Sequence, residues 1–495
     1  TLGANAVLNM NGTGVLKNAA IDGAKLTYTE SGSSFTKENV TFTSGTIDIG
    51  GALDSLVEGE QGYTFDLGSN LGANFTVTGL ETGQYRIEGS VLTIEDGAIS
   101  SVTWVSAGEG GELEETVKNA FTLALGEESA ANVSLGYLNG TLTTSGDKVY
   151  QITNTGGTKI NLSGVYNSGA TLPSGNLNYQ GDIWMDINGG AFGTVVGGVS
   201  NEWRTNLQTS TLTGDTHVQI SGNATADYVI GGNYKGASTT LTGNTNVTVT
   251  GSAIINGSIV GGSTSAHNSG TTITGNTSVL VTNVQYSNTA QNLEGGLSNS
   301  YIIGGSSWSS NVTSGTTIQG STSATINLNG ITLSGTEEHN SFVKTIIGGS
   351  YGNVNNTGTV NNINRDTSVS IIGKEGITFT GDIIGGSFEN SGQAQYTIGG
   401  NSSISISGGS TFTGNIYGGS YSKVPGNTGS TMTTAGNITV ELGTGTYRGN
   451  IYGAGNKGTV GGEVHVSLTG GSIFGAEGEE GGITIGGSAG AAVEG

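Results

Sequence analysis

The sequence predicts an all-β protein, a parallel β-helix of about nine coils that follows a non-repeat, β-rich N-terminal region. Three observations support this fold. A pair of bulky apolar residues followed by Gly-Gly recurs along the chain, a short alternating strand lies between successive pairs, and glycine is far above its usual frequency. One such repeat cannot bury its apolar face alone, so neighbouring repeats must stack.

The apolar pair with its glycines recurs nine times, and 30 to 44 residues separate successive first glycines. Glycine permits a positive φ and lets stacked backbones approach closely, so we expect these pairs at sharp corners of the coil. The copies are Val195–Gly198, Val229–Gly232, Ile259–Gly262, Ile302–Gly305, Ile346–Gly349, Ile383–Gly386, Ile416–Gly419, Ile451–Ala454 and a weaker one at Thr484–Gly487.

Between the anchors lie segments in which apolar and polar residues alternate, as in a half-buried strand. Helical repeats of this period are disfavoured because Gly, Thr, Ser and Asn are poor helix formers. A β-propeller blade needs four strands, and each unit here offers two firm strands and one weak one. The alternating segments are Thr216–Ile220, Thr245–Val249, Thr277–Val281, Thr322–Ile326, Thr367–Ile371, Ser402–Ile406, Ile438–Leu442 and Val464–Leu468.

The chain divides into four regions. Residues 1–136 are predicted to be a capping or assembly region of antiparallel strands or irregular opening coils, with one helix expected at Glu112–Leu125. Residues 137–200 lead into early coils, 201–476 form the regular array, and 477–495 form a Gly/Ala/Glu-rich terminal strand and tail. Asn353–Asn364 and Val284–Ser300 are expected to be the longest loops, and loops on one edge of a solenoid commonly make specific contacts.

Composition limits the functional classes. With 92 glycines and 2 prolines in 495 residues, neither collagen nor a proline-rich linker fits. The lack of cysteine excludes cysteine zinc sites and a disulfide scaffold. The net charge of −22 disfavours nucleic acid as a partner. We find no apolar run long enough for a membrane-spanning helix, and the start at Thr1 lacks signal-peptide features, as expected of a processed chain.

The Ile-Ile/Tyr-Gly-Gly-Ser-Tyr/Phe corners and the Gly-Asn-Thr-x-Val-x-Val strands, over residues 195–487, resemble passenger regions of bacterial autotransporters and related large surface adhesins. The resemblance implies a right-handed β-helix and a secreted, extracellular or cell-surface location. The sequence departs from that family in lacking a terminal membrane β-barrel. It therefore resembles a released or trimmed passenger, or a subunit that assembles without its own barrel.

Two structural functions follow from this reading. The rod could present loops to a host-surface protein or glycan, or copies could join head to tail into an extracellular fibre through strand pairing at open ends. For the fibre, the joining strands are expected within Thr1–Leu16 and Gly482–Val493. The apolar residues proposed to join are Leu8, Val15, Ile483 and Ile485.

Aromatic residues at or just after the corners are predicted to stack into a partial ladder. Packing is the favoured role for this ladder, and an exposed binding surface is the alternative. The candidate contacts with a partner or glycan are Trp184, Trp308, Tyr351, Phe388 and Tyr421.

The enzymatic alternative is a β-helix polysaccharide lyase or glycoside hydrolase. The best carboxylate pair is Asp182 and Asp186, predicted on one face of a strand with Trp184 between them, and the favoured reading is two solvated side chains. We expect no catalytic residue, cofactor or metal site. Weak calcium binding at Glu109–Glu115 or Glu477–Glu480 is a minor alternative to a solubilising role.

Overall fold

The computed structural model describes most of the repeat array and parts of the N-terminal region. The described residues are 1–10, 13–29, 34–48, 63–71, 75–78, 87–95, 98–107, 121–125, 132–137, 144–167, 175–200, 207–234, 238–265, 270–284, 301–308, 315–331, 341–342, 344–352, 360–390, 394–423, 431–455, 458–469 and 473–474.

The chain winds as a right-handed parallel β-helix, in which each coil adds one strand to each of several stacked sheets. One complete coil shows the path. Thr367–Ile372 belongs to the long sheet, Thr378–Phe379 to the bridging sheet, Ile383–Ile384 to the corner sheet, Phe388–Glu389 to the seam sheet and Gln395–Ile398 to the return sheet. Within the described residues the helical content is a single 3₁₀ turn at Leu135–Tyr137.

The long sheet has fourteen strands and the corner sheet eleven. The long sheet contains Tyr63–Leu71, Ile87–Glu95, Ala98–Ala107, Phe121–Leu125, Lys148–Asn154, Ile183–Gly189, Thr216–Ile220, Thr245–Thr250, Thr277–Thr282, Thr322–Asn327, Thr367–Ile372, Ser402–Ser407, Ile438–Leu442 and Val464–Leu468. The corner sheet contains Asn132–Ser134, Ile160–Ser163, Ala191–Val196, Thr225–Ile230, Ile254–Ile255, Ile259–Val260, Tyr301–Ile303, Thr345–Ile347, Ile383–Ile384, Ile416–Tyr417 and Ile451–Tyr452.

The remaining sheets of the array are narrower. The return sheet contains Gly175–Gln180, Leu207–Thr213, Ser238–Thr242, Thr271–Ile273, Thr316–Ile318, Val360–Ile363, Gln395–Ile398, Thr431–Thr434 and Gly458–Val460. The seam sheet contains Tyr166–Asn167, Val199–Ser200, Thr264–Ser265, Ser307–Trp308, Tyr351–Gly352, Phe388–Glu389 and Tyr421–Ser422, and bridges at Tyr234 join its two parts. The bridging sheet contains Ser341–Phe342, Thr378–Phe379, Thr411–Phe412, Thr446–Tyr447 and Ile473–Phe474.

The predicted alternation sets which side chains enter the tube. In strand Thr245–Thr250 the residues Thr245, Val247 and Val249 are buried, and the intervening residues face outward. From Ile183–Gly189 to Val464–Leu468 the strands of the long sheet pair without a register shift, so equivalent side chains stack directly on one another. Stacked Val and Ile columns therefore form one continuous core along the tube.

The corner glycines have a different role from the one first expected. None of the described corner glycines has a positive φ. The glycines that do, such as Gly214 and Gly243, lie in the turns before the long-sheet strands. The corner pairs are needed for close approach instead. A Cβ on Gly197 would lie 2.0 Å from the carbonyl oxygen of Gly231, and one on Gly231 would lie 2.2 Å from that of Gly261. The expectation of close stacking is confirmed, and that of positive φ at these corners is wrong.

Three further expectations are corrected or refined. Phe121–Leu125 is a strand and not the end of a helix, because it pairs in parallel with Lys148–Asn154; the rest of that helix prediction lies outside the described residues. The loop expected at Asn353–Asn364 contains the strand Val360–Ile363. Parallel stacking also begins before residue 136, so the division of the chain at that point stays a prediction.

The N-terminal region combines both kinds of strand pairing. Val7–Asn9, Ala20–Thr27, Thr41–Asp48 and Phe75–Thr78 form a four-stranded parallel sheet, and Thr13–Lys17 pairs in parallel with Ser34–Glu38. Antiparallel pairing occurs where Ala98–Ala107 joins Tyr63–Leu71 and Ile87–Glu95. This region therefore combines parallel stacking with a reversal of strand direction, and its role as a capping or assembly region stays a prediction.

The close approach at the corners predicts how alanine affects stability. Gly231→Ala should lower the free energy of unfolding by about 2 kcal/mol or more, because its Cβ meets backbone of the next coil. Gly157→Ala is the matched control, since a Cβ there meets nothing within 4 Å. Chemical denaturation followed by circular dichroism measures both, and equal effects of the two substitutions would contradict this explanation.

Candidate functional site

A ladder of Asp and Asn side chains runs along the turn before the long sheet. At each step, a side-chain oxygen on one coil accepts a hydrogen bond from the backbone N–H of the equivalent residue on the next coil. The rungs are Asp147, Asp182, Asp215, Asn244, Asn276, Ser321, Asp366, Asn401, Asn437 and Glu463, and the bonds are 2.7–3.4 Å long. This ladder satisfies backbone donors that the sheets leave free at a turn.

A second ladder runs along the corner itself. Here each side-chain oxygen accepts a hydrogen bond from the backbone N–H of the preceding coil, whereas in the first ladder the donor lies on the following coil. The backbone N–H of Ser263 donates to Ser306 Oγ at 3.0 Å, and Ser306 N–H donates to Ser350 Oγ at 3.1 Å. Asn233 takes the same position one coil earlier. The series is Val199, Asn233, Ser263, Ser306, Ser350, Ser387 and Ser420. The serine that follows Gly-Gly is therefore a structural residue.

The two parts of the repeat are joined by a hydrogen bond across the tube. Thr216 Oγ1 donates to the carbonyl oxygen of the corner residue Gly231 at 2.7 Å. The same bond is made from Thr245 to Gly261, Thr277 to Gly304, Thr322 to Gly348 and Ser402 to Gly418. Thr367 occupies the equivalent position, but its buried hydroxyl has no hydrogen-bond partner.

A second apolar core, here called the outer seam, lies on the outer face of the corner sheet. Successive corner-strand residues face opposite ways: Ile302 belongs to the main core and Ile303 to the seam. The buried seam residues are Val196, Ile230, Val260, Tyr301, Ile303, Ile347, Tyr351, Ile384, Phe388 and Tyr417. The seam fills the angle between the corner and seam sheets along much of the array.

Tyrosines stack at the last described coils of the seam. The ring of Tyr417 lies 4.1 Å from that of Tyr421 and 4.9 Å from that of Tyr452, with interplanar angles of 10° and 4°. Tyr421 also stacks on Phe388 at 5.3 Å. Burial raises the pKa of Tyr417 well above its usual range, so the phenol stays neutral. A separate stack of Phe342, Phe379, Phe412 and Tyr447 lies in the main core.

The predicted aromatic contacts have different environments. Tyr351 and Phe388 are 1% and 2% exposed, so they pack in the seam and offer no surface to a glycan or partner. Tyr421 is half-buried against the same core. The indole of Trp184 stacks on the imidazole of His217 at 4.3 Å, which occupies one ring face. The side chain of Trp308 lies outside the described part of the chain. Packing, the favoured role for the ladder, is confirmed for its buried members.

The best carboxylate pair of the sequence serves the fold. The strand begins at Ile183, so Asp182 lies in the preceding turn, where its Oδ1 accepts the N–H of Asp215 at 2.8 Å. Asp186 is on the strand, 8% exposed, and accepts hydrogen bonds from Gln219 at 3.1 Å and Ser221 at 3.4 Å. The favoured reading of two solvated carboxylates is wrong for Asp186.

The predicted joining residues are only partly described. Leu8 lies in the edge strand Val7–Asn9 and pairs with Leu26, and Val15 lies in Thr13–Lys17 with 53% of its surface exposed. Ile483 and Ile485 lie outside the described residues, as do the two acidic stretches considered for calcium.

Lys344 and Glu389 are ionisable side chains buried inside the array, and both are less exposed than the buried Asp186. Lys344, 3% exposed, donates from Nζ to the carbonyl oxygen of Gly257, and burial lowers the pKa of its ammonium from 10.5 to about 7. Glu389 accepts a hydrogen bond from the hydroxyl of Tyr396 in a fully buried position. Neither side chain was singled out from the sequence, because nothing local distinguishes a buried lysine or glutamate from an exposed one.

Across the described ranges, no group of three or more His, Cys, Asp or Glu side chains is arranged to hold a metal ion. The same residues contain no helix long and apolar enough to cross a membrane.

Comparison with known proteins finds no matching family model, no matching curated protein and no matching solved structure. The resemblance to autotransporter passengers and adhesins therefore rests on the corner and strand patterns alone.

The bond across the tube predicts a contrast between two equivalent threonines. Thr322→Val should lower stability by about 1–3 kcal/mol, because the Gly348 carbonyl loses its buried donor. Thr367→Val should be neutral or stabilising, because it removes a buried hydroxyl that has no partner. Denaturant titration of both variants checks this, and equal losses would contradict the assigned role of the hydroxyl.

The buried lysine predicts a pH dependence. Since the pKa of Lys344 is about 7 in the folded protein and 10.5 as its ordinary value, unfolding takes up a proton between these pH values. Stability should therefore rise with pH in this window, by up to about 1.4 kcal/mol per pH unit. Lys344→Met should lack this part of the rise. Denaturation of both proteins at pH 7, 8, 9 and 10 measures it.

Above pH 10 the buried tyrosines act in the opposite direction. Burial raises the pKa of residues such as Tyr150 and Tyr447, so the unfolded chain loses protons first and stability falls. The unsubstituted protein and the Lys344→Met variant share these tyrosines, so the difference between their stability–pH profiles isolates the contribution of Lys344. Parallel pH profiles from pH 7 to 10 would show that Lys344 is charged in the folded protein.

Proposed function

We propose that this chain is a secreted or cell-surface structural rod that presents variable segments for adhesion. The observation that carries the proposal is the unbroken register of the long sheet. Nine parallel strands stack without a register shift from Ile183–Gly189 to Val464–Leu468, and the ladders tie consecutive coils together. Eight steps of about 4.8 Å give a rod of about 38 Å.

Along each coil the strands keep the same pairing geometry, whereas some of the segments that connect them vary in length. The segments between seam and return strands differ in length, while the strands on either side keep their pairing. Both ends of each segment attach along one edge of the tube. These segments are 168–174, 201–206, 235–237, 266–269, 309–314, 353–359, 391–393 and 424–430. A scaffold that tolerates such variation on one edge suits specific contacts with a host-surface protein or glycan.

The enzymatic alternative has weaker support. The carboxylates of Asp182 and Asp186 are engaged with backbone and side-chain donors of the next coil. A lyase or hydrolase needs carboxylates that face the substrate with an adjustable proton. Their hydrogen bonds are better explained by the stacking of coils.

A second candidate is a subunit of a fibre that grows head to tail. It is favoured by the two edge strands of the N-terminal sheets, which expose Val7 and Val15. Exposed apolar residues on an edge strand favour pairing with another strand. In this version the strand containing Val15 would pair with the last coil of another copy.

Electron microscopy of the purified chain across a concentration series tests both versions. Filaments of constant width that lengthen with concentration are the result expected for the fibre. In that case Val15→Lys should shorten them, because a charge on the joining edge opposes pairing. Val360→Lys is the matched control, since Val360 is similarly exposed but lies on an internal strand of the return sheet.

Isolated rods would reject the fibre and leave adhesion by single molecules. Binding of the full chain to arrays of glycans and surface proteins should then be lost when segment 353–359 or 309–314 is replaced by a short Gly-Ser linker, with circular dichroism unchanged. Isolated rods that bind nothing on these arrays would overturn the adhesive proposal.

A further inference from the structure

The outer face of the return sheet carries a column of threonines in register. The stacked residues are Thr211, Thr240, Thr272, Thr317, Asn362, Thr397, Thr433 and Thr459. The hydroxyls of Thr433 and Thr459 lie 3.2 Å apart, within hydrogen-bond distance. Asn178 precedes Thr211 in the same register, so seven of nine rungs carry threonine, although the residues two positions away vary.

In three consecutive coils a second threonine extends this column into a lattice. Thr211 is followed two residues later by Thr213, Thr240 by Thr242, and Thr272 by Thr274. Each second threonine lies on the outward side of the same strand or directly after it, and Leu212, Leu241 and Ile273 between them are buried. The result is a lattice of two columns and three rungs, here called the threonine lattice.

The sheet geometry fixes the spacing of this lattice. Neighbouring strands lie about 4.8 Å apart, and alternate residues of one strand about 6.7 Å apart. The distance between strands is close to the shorter repeat of oxygen atoms on a prism face of ice, and the distance along a strand is somewhat below the longer repeat. Threonine is β-branched and has a restricted χ1, so its hydroxyl and methyl positions are largely preorganised.

The chemistry of the lattice also fits frozen water better than other partners. Its six side chains are partly or fully exposed, and the strands Leu207–Thr213, Ser238–Thr242 and Thr271–Ile273 contain no charged or aromatic residue. A polysaccharide site would normally offer an aromatic ring for stacking, and a protein partner would find little apolar area to bury. The threonine hydroxyls hydrogen-bond to water molecules and hold them in place. The neighbouring methyl groups restrict the orientation of nearby water. Together they provide a surface whose first hydration layer is already lattice-like.

We propose that the threonine lattice binds ice, through water molecules held on its hydroxyls. This inference goes beyond the proposed rod function and fails separately from it, since rods that present loops need no affinity for ice. Ice would be an extended, repeating ligand, for which a rigid sheet in unbroken register is a matching surface.

Thermal hysteresis and inhibition of ice recrystallisation, measured on the full chain, test this proposal. The protein should slow the coarsening of ice grains and shape the growing crystals. Thr240→Tyr, at the centre of the lattice, should reduce both activities several-fold because the ring projects from the flat face. Thr240→Val keeps the β-branched shape and removes only the hydroxyl, so it should reduce them less.

Ser405→Tyr is the matched control, because Ser405 is an exposed hydroxyl residue on the outer face of the long sheet. It should leave both activities unchanged, and circular dichroism should show that all variants fold. Absence of activity in the unsubstituted protein would overturn the proposal. Activity that Ser405→Tyr removes and Thr240→Tyr spares would also overturn it, by placing ice binding on another face.

Discussion

The corner at which glycine stacks on glycine constrains the rest of the repeat. At Gly197 and Gly231 the backbones of successive coils approach so closely that a Cβ would overlap a carbonyl oxygen. That oxygen points into a tube lined by Val and Ile, where an unsatisfied acceptor would be costly. The hydroxyl of Thr216 satisfies it from the opposite wall. Thus the threonine that begins each long strand and the glycine that forms each corner are two ends of one contact.

The same demand for backbone partners explains the composition. A turn that repeats on every coil leaves its N–H groups without a sheet partner, and short side chains with an acceptor atom can reach them. Asp and Asn perform this function before the long sheet, and Ser performs it after the corner. Because each rung bonds only to its neighbour, stability grows coil by coil, as in other solenoids. The Ser and Asn content therefore reflects internal bonding as well as surface polarity.

The sequence was sufficient to predict the coils, since period and alternation are local patterns that bury one face of each strand. It could not show contacts between coils. The role of Ser350 depends on a residue 44 positions away, and that of Tyr351 on a seam outside the main tube. The predicted helix at Glu112–Leu125 was wrong over Phe121–Leu125 because a neighbouring parallel strand overrides local helical spacing. Glycine at the corners was predicted for two reasons, positive φ and close approach, and the stacked coils show that close approach is the one that applies.

These contacts determine which positions of the repeat can tolerate substitution. Residues inside the tube, in the ladders and at the corners each serve two coils, so a change at one position disturbs its neighbour as well. The segments between the seam and return sheets differ in length, while the strands on either side of them keep their pairing. Outward residues of the sheets are equally unconstrained by the core, which makes the threonine column informative. Its strands would accept many polar side chains there, yet Thr211, Thr240 and Thr272 keep one shape and one chemistry in register. The hydroxyls of Thr433 and Thr459 bond to each other within this column, and cross-strand threonine pairs stabilise a sheet, so the column serves the fold while it also presents a uniform outer face.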